Sequence, residues 1–336
     1  MIRHYRTVVS DLPASSDPKV VPTLLVEPPW PALHDAILGW YASNGRRLSF
    51  RRTRDPYAIL VSEAMAQQTQ AARAAEAWIR FMETFPTAAV LAAATPADVL
   101  RAWQGLGYNR RAINLWRAAR LIVEAHGGRV PSDPSALEAL PGVGPYTARA
   151  VAAIAFALPV GAVDTNVRRV LGRIVAGDGG VPGSAAMQVL ADAAVPPDRP
   201  GAWTHALMDL GATVCLPRRP DCGSCPVVAW CRYATMAAAA DRGSYASPLP
   251  AKPGRRLATR EAEIPFVATS RWLRGRIVDR LRAGGDEWVV IDGPIGTHDA
   301  AAVMTALGVL ADEGLVELDG FDDTVAAGRR ARLPVR

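Results

Sequence analysis

The chain has 336 residues, with 38 Lys+Arg against 32 Asp+Glu and a formal net charge of +6. Half of the residues are apolar and 21% are charged, which excludes wholesale disorder and fibrous structure. At roughly 150 residues per domain the length suggests two domains, enough to bury a full core without disulfides.

Residues 1 to about 28 are polar and lack periodicity, and read as a loose tail. They hold no continuous apolar stretch of the kind a secretory signal needs. From Trp30 to about Met236 the chain is dense in Ala, Leu, Val and Arg at helical spacing, punctuated by Pro and Gly. This predicts many short helices and almost no strands. The longest apolar run, Val151 to Val163, contains Pro159 and Gly161 and is too short to span a bilayer. A soluble, cytoplasmic, nucleoid-associated monomer with no membrane partner is the expectation.

Within this stretch Asp55-Pro56 is a helix-start signal. It is followed by Tyr57-Ala58-Ile59-Leu60-Val61-Ser62-Glu63-Ala64-Met65-Ala66-Gln67-Gln68-Thr69-Gln70. A continuous helix would put Glu63 and Gln67 on one face, with Gln70 a turn further. Taken blindly, those residues are a solvated face. Trp103-Gln104-Gly105-Leu106-Gly107-Tyr108 is a Gly-rich turn, in which Tyr108 reads as a partly buried aromatic.

Leu140-Pro141-Gly142-Val143-Gly144-Pro145 separates a short helix, Ser135 to Leu140, from a longer one. Pro145 suits the first position of that second helix, whose free N–H groups form an anion site. Downstream, Asp164 in Val163-Asp164-Thr165-Asn166-Val167 precedes another helix and reads by itself as an N-cap. Cys215, Cys222, Cys225 and Cys231 follow with the spacing C-x6-C-x2-C-x5-C. No cysteine lies elsewhere, and a single compact loop with one tight pair suits an iron–sulfur cluster better than zinc, which the spacing leaves open. Residues 237–265 have a linker composition. In the last 71 residues, 266–336, Trp272–Ala283 and Ala300–Glu313 predict helices, and Trp288–Asp292 and Leu315–Leu318 predict strands. That order suggests a winged-helix-like module.

Taken together, LPGVG before a Thr/Ala/Val-rich helix, VDTNV about twenty residues later and the cysteine spacing resemble the helix–hairpin–helix DNA glycosylase superfamily that includes endonuclease III. The string DPYxIxxSExMxQQTQ and the WxGLGY turn resemble its adenine DNA glycosylase (MutY) branch. The resemblance runs from about Trp30 to Tyr233. It implies a mainly α fold: a six-helix barrel (about 48–158), and a cluster domain built from 29–47 and 159–236 whose loop 215–231 binds one 4Fe–4S cluster through the four cysteines.

The resemblance also implies the activity. The protein would be a monofunctional glycosylase of base excision repair that hydrolyses the N-glycosidic bond of adenine opposite oxidised guanine (8-oxoguanine) or guanine in duplex DNA. Glu63 would protonate the departing adenine and Asp164 would stabilise the cationic sugar, with Tyr146 and Asn166 beside them. Gln67, Gln68, Gln70, Tyr108, Gly142, Val143, Gly144 and Arg52 would touch DNA, Tyr108 as a wedge. Arg111 and Arg169 are among further arginines expected to meet phosphate.

Bifunctional relatives carry lysine where this chain has Tyr146, and Lys19 and Lys252 are its only lysines. Schiff-base lyase chemistry therefore has almost no amine to use. The alternatives are a thymine or uracil mismatch glycosylase of the same fold and a non-catalytic DNA-binding iron–sulfur protein. The C-terminal residues are too few and too helical for the Nudix-like reader of oxidised guanine in better-known relatives. They resemble the short tail of actinobacterial adenine glycosylases.

Overall fold

The computed structural model describes residues 28–177, 182–240, 265–319 and 329–335. Residues 1–27 of the expected tail and 241–264 of the expected linker lie outside these. The described residues form fourteen α-helices and three short strands, and they fall into two compact units.

The first unit takes the chain up to Arg47, Ser132–Glu138 and Gly144 onward. It holds α1 (Trp30–Asn44), α7 (Pro134–Glu138), α8 (Pro145–Ala155), α9 (Thr165–Ala176), α10 (Ser184–Ala193), α11 (Pro200–Thr213) and α12 (Arg232–Ala240). Local chemistry sets the helix starts. Asp164 caps α9, while Pro145 and Pro200 occupy first-turn positions of α8 and α11, where a missing N–H costs nothing. Leu33, Ile37, Leu171, Met187, Trp203 and Leu210 form one core, against which the four cysteines also pack. Asp209 is 0% exposed in this core and accepts from the backbone N–H and the Nε of Arg46 at 2.8 and 2.7 Å.

The second unit comprises Leu48–Pro131, Ala139–Val143 and the C-terminal residues. Its first part holds α2 (Pro56–Ala66), α3 (Ala71–Thr84), α4 (Ala88–Ala93), α5 (Pro96–Ala102) and α6 (Arg110–His126). Asp55, Thr87 and Thr95 cap α2, α4 and α5, and Thr95 makes a full capping box with Asp98. Gly127 ends α6 in the left-handed conformation. Phe81 is fully buried, 4.9 Å from Phe85 and 5.9 Å from Trp103, the latter edge-on. Truncating such a ring typically costs about 3–5 kcal/mol.

The same unit contains the C-terminal module: α13 (Ser270–Ala283), β1 (Val289–Ile291), α14 (Ala300–Asp312), β2 (Glu317–Leu318) and β3 (Arg329–Arg332). Its antiparallel sheet has the order β1-β3-β2, with α14 between β1 and β2 in the chain. The middle strand β3 is absent from the sequence expectation because it reads Arg-Arg-Ala-Arg. Only its Ala331 faces the core, while Arg332 pairs with Glu317 at 2.8 Å and lies 4.4 Å over Trp288. The module is fastened to the helices before it. Ala97 donates to the carbonyl of Pro334 at 2.8 Å, and Arg282 donates to Leu100 O and Asn109 Oδ1 at 2.9 Å.

Candidate active site

Helix α2 is apolar on every side: Tyr57 through Glu63 and Met65 are all buried. A helix hydrophobic all round belongs at the centre of a domain. Its neighbours confirm the position, since Trp78 Nε1 donates to Ala58 O at 2.9 Å and the Tyr57 hydroxyl to Phe85 O at 3.0 Å. Glu63 is 9% exposed on this helix. Burying a carboxyl carries a desolvation cost, so its presence marks a candidate for chemistry.

The glutamine run departs from the expected continuous face. The helix ends at Ala66, Gln67 is its C-cap, Gln68 is left-handed at φ 54° and Gln70 caps the next helix, α3. The cause is Arg111. Its Nη1 donates to the carbonyls of Ala64, Met65 and Gln67, and its Nη2 to Thr69 Oγ1, Leu106 O and Gly107 O. One guanidinium thus captures carbonyls that a continuing helix would have used. It also ties the glutamine turn to the Trp103–Tyr108 turn. Burial pulls Arg111 down to about 10, so it stays charged at neutral pH.

Tyr108 is 38% exposed and left-handed at φ 46°. It follows Gly105 and Gly107, both also at positive φ. A tyrosine in that region is strained, a feature that gathers at functional sites. Arg52 is exposed at the end of a short 3₁₀ turn, Ser49–Arg52.

At the hairpin, Gly142 has φ +80°, and a Cβ there would lie 2.7 Å from Asn114 Cβ, so only glycine fits on both counts. Val143 donates to Leu140 O at 3.1 Å. The chain passes from one unit to the other between Val143 and Gly144. Gly144 is the N-cap of α8 and makes no side-chain cap, which leaves the first-turn N–H groups of α8 free of a side-chain cap acceptor. Tyr146 donates to Met208 Sδ at 3.7 Å.

In the first unit, Asp164 is both N-cap and start of a polar chain. Its Oδ1 accepts from Val167 N–H at 2.6 Å and its Oδ2 from Asn166 Nδ2 at 3.0 Å. Arg169 then donates to Asn166 Oδ1 at 2.8 Å, to Gly211 O at 2.6 Å and to Cys215 O at 2.7 Å. Gly211 makes this approach possible, since a Cβ there would sit 2.6 Å from Asn166 Cβ. Arg169 and Arg111 are therefore partly buried and extensively hydrogen-bonded within the protein.

The four cysteines form no disulfide and line one cavity with Arg173 and Tyr233. Among the described residues no group of three or more His, Cys, Asp or Glu is placed to hold a single metal ion. Four thiols on one cavity are a donor set that an iron–sulfur cluster can use. Arg173 is 3% exposed, donates to Cys215 Sγ at 3.3 Å and lies 4.7 Å over the Tyr233 ring. Burial raises the thiols of Cys222 and Cys231 and pushes Cys225 up to about 12, while Arg173 opposes the rise at Cys222. Arg173 escaped sequence reasoning because one arginine in a helical run carries no mark of burial.

Glu63 belongs to the second unit and Asp164 to the first. Residues 61–193 match the HhH-GPD superfamily of base excision DNA repair proteins. The fold agrees: a thermostable thymine-DNA glycosylase superposes with a TM-score of 0.58 at 30% identity, covering 62% of this chain and 97% of its own. An endonuclease III structure solved with DNA gives 0.53 at 24% identity, which speaks for the fold alone.

Helical architecture, hairpin and cysteine loop thus define a helix–hairpin–helix glycosylase-type chain. An adenine DNA glycosylase of Mycobacterium tuberculosis is 42% identical over 271 residues, 79% of this chain and 84% of that protein. The human adenine DNA glycosylase is 43% identical over 60% of this chain but only 39% of its own length. The chain belongs to the adenine DNA glycosylase family.

Proposed function

We propose that this protein is a monofunctional DNA glycosylase that releases adenine opposite oxidised guanine or guanine in duplex DNA. The observation that carries the reading is Glu63, a buried carboxyl on the wholly apolar helix α2, in a chain of this family. The reading requires this carboxyl to hold its proton until the base takes it. In this mechanism Glu63 gives a proton to the adenine ring, and the C1′–N9 bond breaks with its electron pair leaving on the base. Asp164, oriented by Asn166 and Val167 N–H, faces the cationic sugar with negative charge. Water adds at C1′ and gives up a proton, so the products are free adenine and an abasic site. No lysine occupies the position of Tyr146, consistent with hydrolysis rather than Schiff-base cleavage.

The base must leave the duplex to reach Glu63. Gln67, Gln68, Gln70, Tyr108 and Arg52 are proposed to meet DNA on the second unit, together with Gly142 and Val143, and Gly144 at the start of α8. Cys215, Cys222, Cys225 and Cys231 are proposed to hold one 4Fe–4S cluster, which supplies a structural tie within the first unit. The protein is proposed to act as a monomer on chromosomal DNA in the cytoplasm; among the described residues no helix is long and apolar enough to cross a membrane.

The test is base excision on duplexes carrying adenine opposite oxidised guanine, thymine opposite guanine and uracil opposite guanine. Adenine release, with strand cleavage only after added alkali, is expected. Thymine or uracil release without adenine release would overturn the reading. Iron and sulfide analysis of the purified protein tests the cluster, and zinc in place of iron would refute it.

A further inference from the structure

The second unit contains a cleft of about 800 Å³ between the N-terminal half of α13 and the two strained turns. Gln68 and Tyr108, two of the three non-glycine residues at positive φ among the described residues, both line it. Opposite them stand Arg271 and Phe266 of the C-terminal module, and Arg73 and Arg110 complete its rim. The Arg271 guanidinium lies 4.1 Å over the Tyr108 ring and 5.6 Å from that of Phe266. Phe266 is 59% exposed.

The charge of the cleft is one-sided. Its two carboxylates, Asp279 and Glu313, are each engaged, Glu313 by Arg274 and Asp279 by Arg276 and Arg282. Arg271, Arg73 and Arg110 make no ion pair among the described residues. The cleft therefore presents flat π faces beside uncompensated guanidinium groups. This combination matches a nucleotide, with its base against an aromatic–arginine platform and its phosphates on arginine. An acidic peptide would use the charges but not the platform.

We infer that this cleft extends the DNA-binding surface of Gln67, Gln68 and Tyr108 onto the C-terminal module, and that it takes an unstacked nucleotide of the bound duplex on Arg271, Phe266 and Tyr108. The inference rests on the glycosylase reading for the identity of the polymer. It gives the module a task in gripping DNA that needs no Nudix-like domain.

The experiment measures binding of full-length protein to a duplex with an uncleavable 2′-fluoro-adenosine opposite oxidised guanine, across a salt series. Arg271→Ala and Phe266→Ala are each expected to weaken binding about tenfold. Arg271→Ala should also flatten the log Kd against log salt slope by about 0.9, while Phe266→Ala leaves the slope alone. Arg280→Ala is the control, since Arg280 sits on the same helix outside the cleft, 4.0 Å from Asp292. Arg271→Lys keeps the charge but not the planar group, and should retain the salt slope while losing affinity.

2-Aminopurine placed in turn at positions flanking the target should brighten with wild type at one position, and not with Arg271→Ala. Unchanged affinity in both Arg271→Ala and Phe266→Ala, each with a wild-type melting profile, would overturn the inference. So would a loss reproduced by Arg280→Ala. Adenine release by wild type is scored separately: if it is absent the glycosylase reading fails, whereas the cleft variants still report on DNA binding.

Discussion

Arg111 is where one side chain fixes two candidate DNA-contacting turns, and Arg111→Ala tests that reasoning. Its guanidinium serves five main-chain carbonyls and the Thr69 hydroxyl. Each carbonyl left without a partner costs up to about 1 kcal/mol or somewhat more if fully buried. Several of these carbonyls lie on turns that reach solvent, so about 3 kcal/mol is expected in total, near the lower end for breaking a buried charged network. The loss should be local. Hydrogen exchange at the amides of Thr69 and Leu106, which donate to Ala66 O and Trp103 O within the two turns, should speed up by about 100-fold. Urea unfolding followed by fluorescence should register the same destabilisation. Arg111→Lys supplies a charge without the fork and should recover less than half. If exchange in both turns changes less than fivefold in Arg111→Ala, the guanidinium is not what holds them.

Four further outcomes follow from the geometry. Glu63→Gln and Asp164→Asn should fold normally, Asn retaining the N-cap, and should each slow single-turnover adenine release by at least about 10²-fold; wild-type rates in either would remove that residue from the chemistry. Arg169→Ala cuts the links to Asn166, Gly211 and Cys215 and should cost about 2–3 kcal/mol in thermal unfolding, with reduced iron per chain, whereas retention of both would show the chain of bonds to be incidental. Gly211→Ala should displace Asn166 and lower both stability and base release, a prediction that an unchanged melting temperature would refute. Burial, and secondarily Asp55, raises the Tyr57 phenol above its ordinary value of 10.0. The fold therefore favours the neutral phenol, and this contribution is fully present below about pH 10 and is lost as pH rises past it; Tyr57→Phe should shallow the alkaline fall in stability measured by urea titration.

Much of this molecule is legible before folding because the signals are short-range. Asp55-Pro56 and Asp164 each set a helix start through bonds within three residues, and both read correctly from the sequence. The helix at Trp272 was placed within two residues for the same reason, with Thr269 as its cap. The glutamine run was misread as a continuous helix face because nothing within it stops the helix. What stops it is Arg111, 44 residues away from Gln67 in sequence. Strand β3 was missed for a related reason: three arginines in four residues look like a polar tail until Glu317 and Trp288 are brought against them.

The sequence by itself determined the family, the mainly helical character and the grouping of four cysteines in one loop. All of these reside in motifs whose members are neighbours along the chain. Only the tertiary structure decided which ions are hidden. It put Arg173 against a cysteine sulfur, Asp209 under Arg46, Glu63 out of reach of most solvent and Arg271 over Tyr108. Burial and pairing are properties of residues far apart in sequence, and the cost of desolvating a charge is fixed only when its partners have arrived.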